Sequence, residues 1–227
     1  MQIIYGIAVH AYPRNIDDLA EHLNLPLHEH ISRFLYGLEH PESDMPIEDV
    51  PIELCPTYSE KILVYPSAIA TFRAPSDISG IGGMYREHIR STESWRKGPE
   101  RRDCVFVEQN PDLAGFRGLY IAQVRLIFKI RYKRRYIPCA LVAWFSQIGN
   151  GPCPDSGMWR VEPDFDANGE RSMSVIHLDA IFRAAHLVGI AGEDFLPYHM
   201  KHTDSLVSFR AFFVNKFIDY HAHETIF

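Results

Sequence analysis

The clearest hydrophobic pattern in the chain runs from Tyr120 to Tyr132. Its even positions are Tyr120, Ala122, Val124, Leu126, Phe128, Ile130 and Tyr132, and its odd positions are Ile121, Gln123, Arg125, Ile127, Lys129 and Arg131. Period two over this length predicts a half-buried strand with one apolar face and one largely basic face. YIPCALVAWF (136–145) reads as its hairpin partner, with Lys133, Arg134 and Arg135 at the turn. A one-residue slip would bury the charges, so the register is tightly specified.

Shorter strands precede and follow it. KILVYPSAIATFRAP predicts strands near 61–65 and 68–73, and DCVFVE (103–108) predicts another. GMWRVEPDF and SMSVIHL flank Asn168-Gly169, the dipeptide typical of a tight hairpin. MYREHIR reads as a helical turn inside a polar loop, and the apolar spacing of HLDAIFRAAHLVGI leaves helix and strand open. Helices frame the strands. Asn15 caps a first helix with Ile16, Leu19 and Leu23 on one face, and Asp17 and Asp18 suit its first turn. Pro26 opens a second helix carrying Leu27, Ile31, Phe34, Leu35 and Leu38. Residues 40–56, with prolines at 41, 46, 51 and 56 among acidic residues, read as a linker. In the tail, Leu206, Phe209, Phe213, Phe217 and Tyr220 form the stripe of a C-terminal helix capped by Thr203 or Asp204. The expected fold is α+β and β-rich. It is a small curled β-barrel of SH3-like kind over 57–200, flanked by a helical segment and linker (1–56) and a C-terminal helix (201–227).

An apolar content of 46% with 23% charged residues excludes disorder as the main description. No run of eighteen apolar residues and no signal-peptide pattern occurs, which gives the expectation of a soluble, intracellular protein without a membrane partner. Cys55, Cys104, Cys139 and Cys153 are widely spaced and read as reduced thiols. The net charge of −6 is unevenly distributed, because residues 86–135 alone hold thirteen basic and six acidic side chains. A local positive field on an acidic protein suits phosphate or an acidic partner.

Familiar catalytic and metal patterns fail on inspection. DFDANGE (164–170) starts like a calcium loop but has Val175 where the bidentate Glu belongs. SGIGG (79–83) lacks the Lys-Ser/Thr of a phosphate loop, and the histidines include no HExxH. No serine elbow or cysteine-nucleophile setting appears, so neither a cofactor, a metal nor a catalytic residue is assigned. Trp95, Trp144 and Trp159 could line a cage for a methylated lysine, although Trp144 sits in an apolar run and reads as core. The basic stripe is the best candidate. Side chains at i and i+2 on one strand face sit about 6.8 Å apart, so Arg125, Lys129, Arg131 and Lys133, with Ile127 between the first two, form a ladder continued by Arg134 and Arg135. Arg96, Lys97, Arg101 and Arg102 in WRKGPERRD form a second cluster. Contacts of this kind bind phosphate backbones in a salt-dependent, nearly sequence-blind way. The bland counterpart is an edge hairpin charged against aggregation.

Segments throughout the chain, among them TFRAPSDISGIGGMYREHIRSTESWRKGPERRDCVFVE, GFRGLYIAQVRLIF, DSGMWRVEPD and FRAFFVNKFIDYHAHE, resemble the C-terminal region of fungal Plavaka-type DNA transposases. The resemblance implies a nuclear protein derived from a transposable element. It also implies that the catalytic carboxylates lie in a ribonuclease-H-like domain upstream, so the chain is expected to be a non-catalytic tail. Residues 60–200 are more weakly similar, in strand order, to a bromo-adjacent homology module, a chromatin-binding β-domain. The function expected is binding of DNA or chromatin through the basic hairpin. The alternative is a protein-interaction module, for self-association or for a transposase or host partner, with Phe209, Phe213 and Phe217 at its interface.

Overall fold

The computed structural model describes residues 6–7, 11–75, 82–192, 195–196 and 198–226. In chain order the elements are β1 (Gly6–Ile7), β2 (Tyr12–Arg14), α1 (Ile16–Leu23), α2 (Leu27–Glu39), β3 (Ile62–Tyr65), β4 (Ser67–Arg73), β5 (Met84–Thr92), β6 (Arg101–Arg102), β7 (Cys104–Glu108), β8 (Leu119–Tyr132) and β9 (Arg135–Gln147). They continue with β10 (Trp159–Pro163), β11 (Met173–His177), β12 (Ile181–Ala185), β13 (Leu187–Gly189), α3 (Ser205–Ser208), β14 (Phe212–Val214) and α4 (Tyr220–Ile226). The α+β, strand-rich class expected from the sequence is what is seen, and all strand pairs are antiparallel. Among the described residues no helix is long and apolar enough to cross a membrane.

The β8–β9 ribbon is the spine. Along β8, residues 119–123 pair with β7 and residues 127–129 pair with β3. Along β9, residues 139–143 pair with β11 and residues 145–147 pair with β10. β12 returns to β7, and a 3-10 turn at 178–180 links β11 to β12. No closed barrel is found among the described residues: β11 and β12 share no ladder, and the main sheet runs open from β12 to β13.

Both faces of the ribbon are covered. Ala122, Val124, Ile127, Ala140 and Val142 pack with Phe72 and Ile89 of the β4–β5 hairpin. On the other face Phe128, Ile130 and Leu141 meet Leu27, Ile31 and Leu35 of α2. Ile121 and Phe145 meet Trp159, Phe212 and Ile226 beyond them. The helical pair forms as its sequence signals require. Asn15 accepts from the Asp17 N–H at 3.1 Å, and Asn24 in the left-handed region ends α1. Pro26 stands at the N-cap of α2, one residue before the helix proper. Residues 40–56 hold two 3-10 turns, anchored by Arg33 donating to the carbonyls of Ile47 (2.9 Å), Glu48 (3.1 Å) and Val50 (2.6 Å).

Three expectations require correction. The C-terminal helix does not exist as one element: α3 ends at Ser208, and Phe212 and Val214 then alternate as buried strand residues between β10 and β13. Phe209 lies extended across Gly189 and packs against Phe212. The segment around MYREHIR is a strand paired with β4 over seven residues, not a helical turn. GMWRVEPDF and SMSVIHL do not pair with each other. Each pairs with its own half of β9, and only a Phe165–Arg171 bridge joins them behind the Gly169 turn. The undecided segment 177–190 supplies β12 and β13. Of the 79–83 glycine segment, residues 79–81 lie outside the described residues.

The 3-10 turn before β8 tolerates nothing larger than glycine at its end. A Cβ on Gly118 would stand 2.5 Å from the Asn110 carbonyl oxygen and 2.6 Å from that of Leu113, both backbone. The Gly118 carbonyl meanwhile accepts from Gln109 N (3.0 Å) and Asn110 N (3.2 Å), which pins the loop in place. Gly118→Ala is expected to destabilise the fold by about 1–3 kcal/mol, the range for overpacking, measured as a shift in the urea midpoint at constant slope.

Candidate functional site

The tip of the hairpin is a two-residue turn. Tyr132 pairs with Arg135, and Lys133 (φ 46°) and Arg134 (φ 67°) occupy the left-handed region between them. Turns of this kind favour Asn-Gly, so Lys-Arg places two charges there at a conformational cost. Lys133 ion-pairs with Glu39 at the end of α2, and Glu39 also accepts from the Tyr132 hydroxyl at 2.6 Å. The Lys133 and Tyr132 hydrogen bonds hold the Glu39 carboxyl below its ordinary value, and the bond to Glu39 pushes the Tyr132 hydroxyl up to about 12. Lys133 therefore ties the ribbon to the helix rather than standing free. Lys129 lies 5.5 Å from the Tyr65 ring centroid. Arg131, Arg134 and Arg135 are exposed and have no carboxylate within ion-pair distance among the described residues. Tyr136, directly opposite Arg131, is 61% exposed.

The expected ladder from Arg125 to Lys133 is broken by a β-bulge. Val124 pairs with Val142 and Leu126 with Leu141, so Arg125 is the extra residue. The extra residue inverts the parity: Ala122 and Val124 face the β4–β5 hairpin, and beyond the bulge it is Ile127 that does so. Lys129 and Arg131 follow the Ile127 row. Arg125 turns instead toward Gln123, donating from Nη1 to Oε1 at 3.3 Å, on the opposite face. Arg102 fills the gap in the ladder by donating from Nη1 to the Arg125 carbonyl. Burial, and then the neighbouring Arg102 charge, lower the Arg125 value.

The second cluster divides as well. Arg96 (φ 51°) and Lys97 (φ 64°) are exposed at the β5–β6 turn without carboxylate partners among the described residues. Arg101 donates from Nε to Asp103 at 2.8 Å, and Arg102 donates from Nε to Glu100 at 2.9 Å. Trp95 gathers the guanidinium carbons of Arg90 (4.5 Å), Arg96 (5.4 Å) and Arg101 (5.7 Å) around its ring. Of the other tryptophans, Trp159 is buried. Trp144 lines a 640 Å³ cavity with Tyr120, whose ring it meets edge-on at 5.9 Å. The three therefore share no cage.

Two features escaped the sequence reading. In β5 the pairing turns Tyr85, Glu87 and Ile89 inward and leaves Arg86, His88 and Arg90 in one outward row. The alternation was present in MYREHIRST but was masked by Glu87 on the inner side. This row lines a 350 Å³ groove together with Arg101, Asp103, Ala184 and His186. Behind it lies Arg183, 2% exposed. Its Nη1 and Nη2 donate to Asp219 at 2.9 and 2.5 Å, and it stands 3.5 Å from Glu87 and 5.0 Å over Phe72. A charged residue inside the apolar run IFRAA was the available signal.

Among the described residues no group of three or more His, Cys, Asp or Glu side chains is placed to hold a metal ion. The four cysteines are free thiols, and burial pushes Cys104 up to about 12 and Cys139 higher still. In comparisons with known proteins, the chain matches no protein-family model and no curated protein.

Proposed function

We propose that this chain is a non-catalytic DNA- or chromatin-binding module of transposase ancestry that contacts phosphates through the tip of the β8–β9 hairpin. The observation that carries the reading is the set of exposed, unpaired guanidiniums of Arg131, Arg134 and Arg135 on a turn fixed to α2 by Lys133 and Tyr132. A turn tied to α2 presents these charges without ordering of its backbone, and phosphate contacts made this way release counterions. The family-like segments supply the nuclear and transposase-derived part of the reading. The finer architecture that accompanies it is a curled, SH3-like arrangement. Its support is the succession β7, β8, β9, β11, a 3-10 turn, then β12 returning to β7 around Val105, Val124, Val142 and Ile181.

The test is fluorescence anisotropy with a labelled duplex across a salt series. Arg131→Glu/Arg134→Glu/Arg135→Glu should weaken binding at low salt by at least tenfold. If three phosphate contacts are lost, the slope of log K against log salt should fall by about 2.7. Equal binding by both proteins would exclude the hairpin as the contact.

A second reading, protein interaction, is favoured by a separate observation. Phe195, Tyr198, Val207, Phe217, Ile218 and Tyr220 all stand at least half exposed within one C-terminal stretch. Exposed large apolar side chains of this kind mark an interaction surface where they form one patch. Of the interface expected from sequence it keeps Phe217, whereas Phe209 packs inward and Phe213 sits in β14. A stable oligomer by light scattering, with no salt-dependent affinity for nucleic acid, would favour this reading over the first.

A further inference from the structure

The outer row of β5 has the spacing that the hairpin ladder lacks. Arg86, His88 and Arg90 sit at alternate positions of one uninterrupted strand, paired residue for residue with Thr71, Ile69 and Ser67 of β4. Their rungs are therefore about 6.8 Å apart along a straight edge. The row lines the 350 Å³ groove together with Ala184 and Ala185 of β12 and His186 just beyond it.

Charges in the groove do not cancel. Arg86 is exposed and has no carboxylate partner among the described residues. Arg90 reaches Asp103 only at 3.9 Å, because Asp103 spends its oxygens on the Arg90 N–H (2.9 Å) and on Arg101 Nε (2.8 Å). Glu87, the other acid lining the groove, accepts from the Ala184 N–H at 2.8 Å and faces Arg183, so it is turned away from the row. Trp95 holds Arg90, Arg96 and Arg101 around one ring at the end of the row, extending the positive strip beyond the groove. Burial, and then the Arg101 charge, lower the Arg90 value, and Asp103 opposes them.

We infer that this groove is a second nucleic-acid site, in which the backbone of a single strand runs along β5 with successive phosphates against Arg86, His88 and Arg90. One row of two arginines flanking a histidine hydrogen-bond donor, along a single strand of the groove, suits one extended strand. A duplex instead presents its phosphates in two rows on a convex surface. The β5 row belongs to a different sheet from the hairpin tip, and the inference does not depend on the hairpin reading.

The experiment titrates the full chain with a labelled oligothymidylate of fifteen nucleotides and, separately, with a labelled duplex. Arg86 is exposed, so Arg86→Glu is the first variant, and Arg86→Gln/Arg90→Gln is the second. Each should weaken single-strand binding by at least tenfold. The double variant should lower the salt slope by about 1.4, the value for two phosphates on a single strand. The hairpin triple variant should leave single-strand binding within twofold. Unchanged single-strand affinity in both β5 variants would overturn the inference, as would absence of single-strand binding by the unaltered protein. In the hairpin triple variant, loss of duplex binding with single-strand binding retained would support two separate sites. Tighter binding of the duplex than of the single strand, with both lost in Arg86→Glu, would reassign the groove to duplex and overturn the single-strand geometry.

Discussion

Arg183→Met is expected to destabilise the protein by about 3–5 kcal/mol, the range for removing one member of a buried ion pair. In a chain of this size that lowers the melting temperature by roughly 10 °C. The reason is what remains behind. Arg183 is the common partner of Asp219, Glu87 and the His221 ring nitrogen at 3.0 Å, and it lies against Phe72. Methionine fills much of the volume but leaves two half-buried carboxylates without their shared cation. Burial alone would raise the Asp219 carboxyl, but the bonds from Arg183 and from the Ala222 N–H outweigh it and leave it below the ordinary range. Burial dominates at Glu87 and raises it despite the Arg183 charge. The two act oppositely on pH dependence. The Asp219 contribution is present above the ordinary carboxylate value and is lost as pH falls through its depressed folded value. The Glu87 contribution is present below its ordinary value and is lost as pH rises through its raised one. Arg183→Met should therefore remove the acid-side loss due to Asp219 and steepen the decline on the rising side. Adding Glu87→Gln and Asp219→Asn should restore at least half of the lost stability. No recovery would show that the loss came from packing on Phe72 and not from unpaired charge.

The arginine also shows which parts of this fold are legible from sequence. The β8–β9 hairpin was readable because fourteen- and thirteen-residue strands leave a long periodic trace and Lys133-Arg134 breaks it sharply. The bulge at Arg125 was not readable. Each half of β8 keeps period two, and only the partners, β7 on one side and β3 on the other, reveal that the parity has switched. This is why a ladder that is continuous in the sequence is divided between two faces of the ribbon. In β5, Glu87 looked like an outward charge because its compensation, Arg183, lies 96 residues away and is invisible locally. The tail failed for the opposite reason. Leu206, Phe209, Phe213 and Phe217 have helical spacing, but Phe212 and Val214 bury themselves against Trp159 and Phe145, and long-range burial overrides a short local period. The charge asymmetry of residues 86–135 was legible, whereas its division into paired and free cations depends on which carboxylates the fold brings near.

The second large effect concerns the helical pair, whose sequence suggests a detachable segment ending in a proline-rich linker. Leu35→Ala is expected to cost about 2–5 kcal/mol and to lower the unfolding of the whole chain, not of the helices alone. Leu35 is fully buried, and its cluster joins Leu27 and Ile31 of α2 to Phe128 and Ile130 of β8, Leu141 of β9 and Val175 of β11. β2, just ahead of α1, also pairs with β3, which in turn pairs with β8, so the N-terminal segment enters the same sheet that it covers. The tryptophans provide the discriminating signal, since Trp95, Trp144 and Trp159 all lie outside the helical pair. Unfolding followed by circular dichroism at 222 nm and by tryptophan fluorescence should move together in the variant. The common midpoint should stay common, because the cavity left by Leu35 opens directly onto the β8–β9 spine. Helical signal lost well before the fluorescence change would mean that α1 and α2 fold as a separate layer. The hairpin tip, fastened to α2 through Glu39, would then lose its anchor whenever that layer opened.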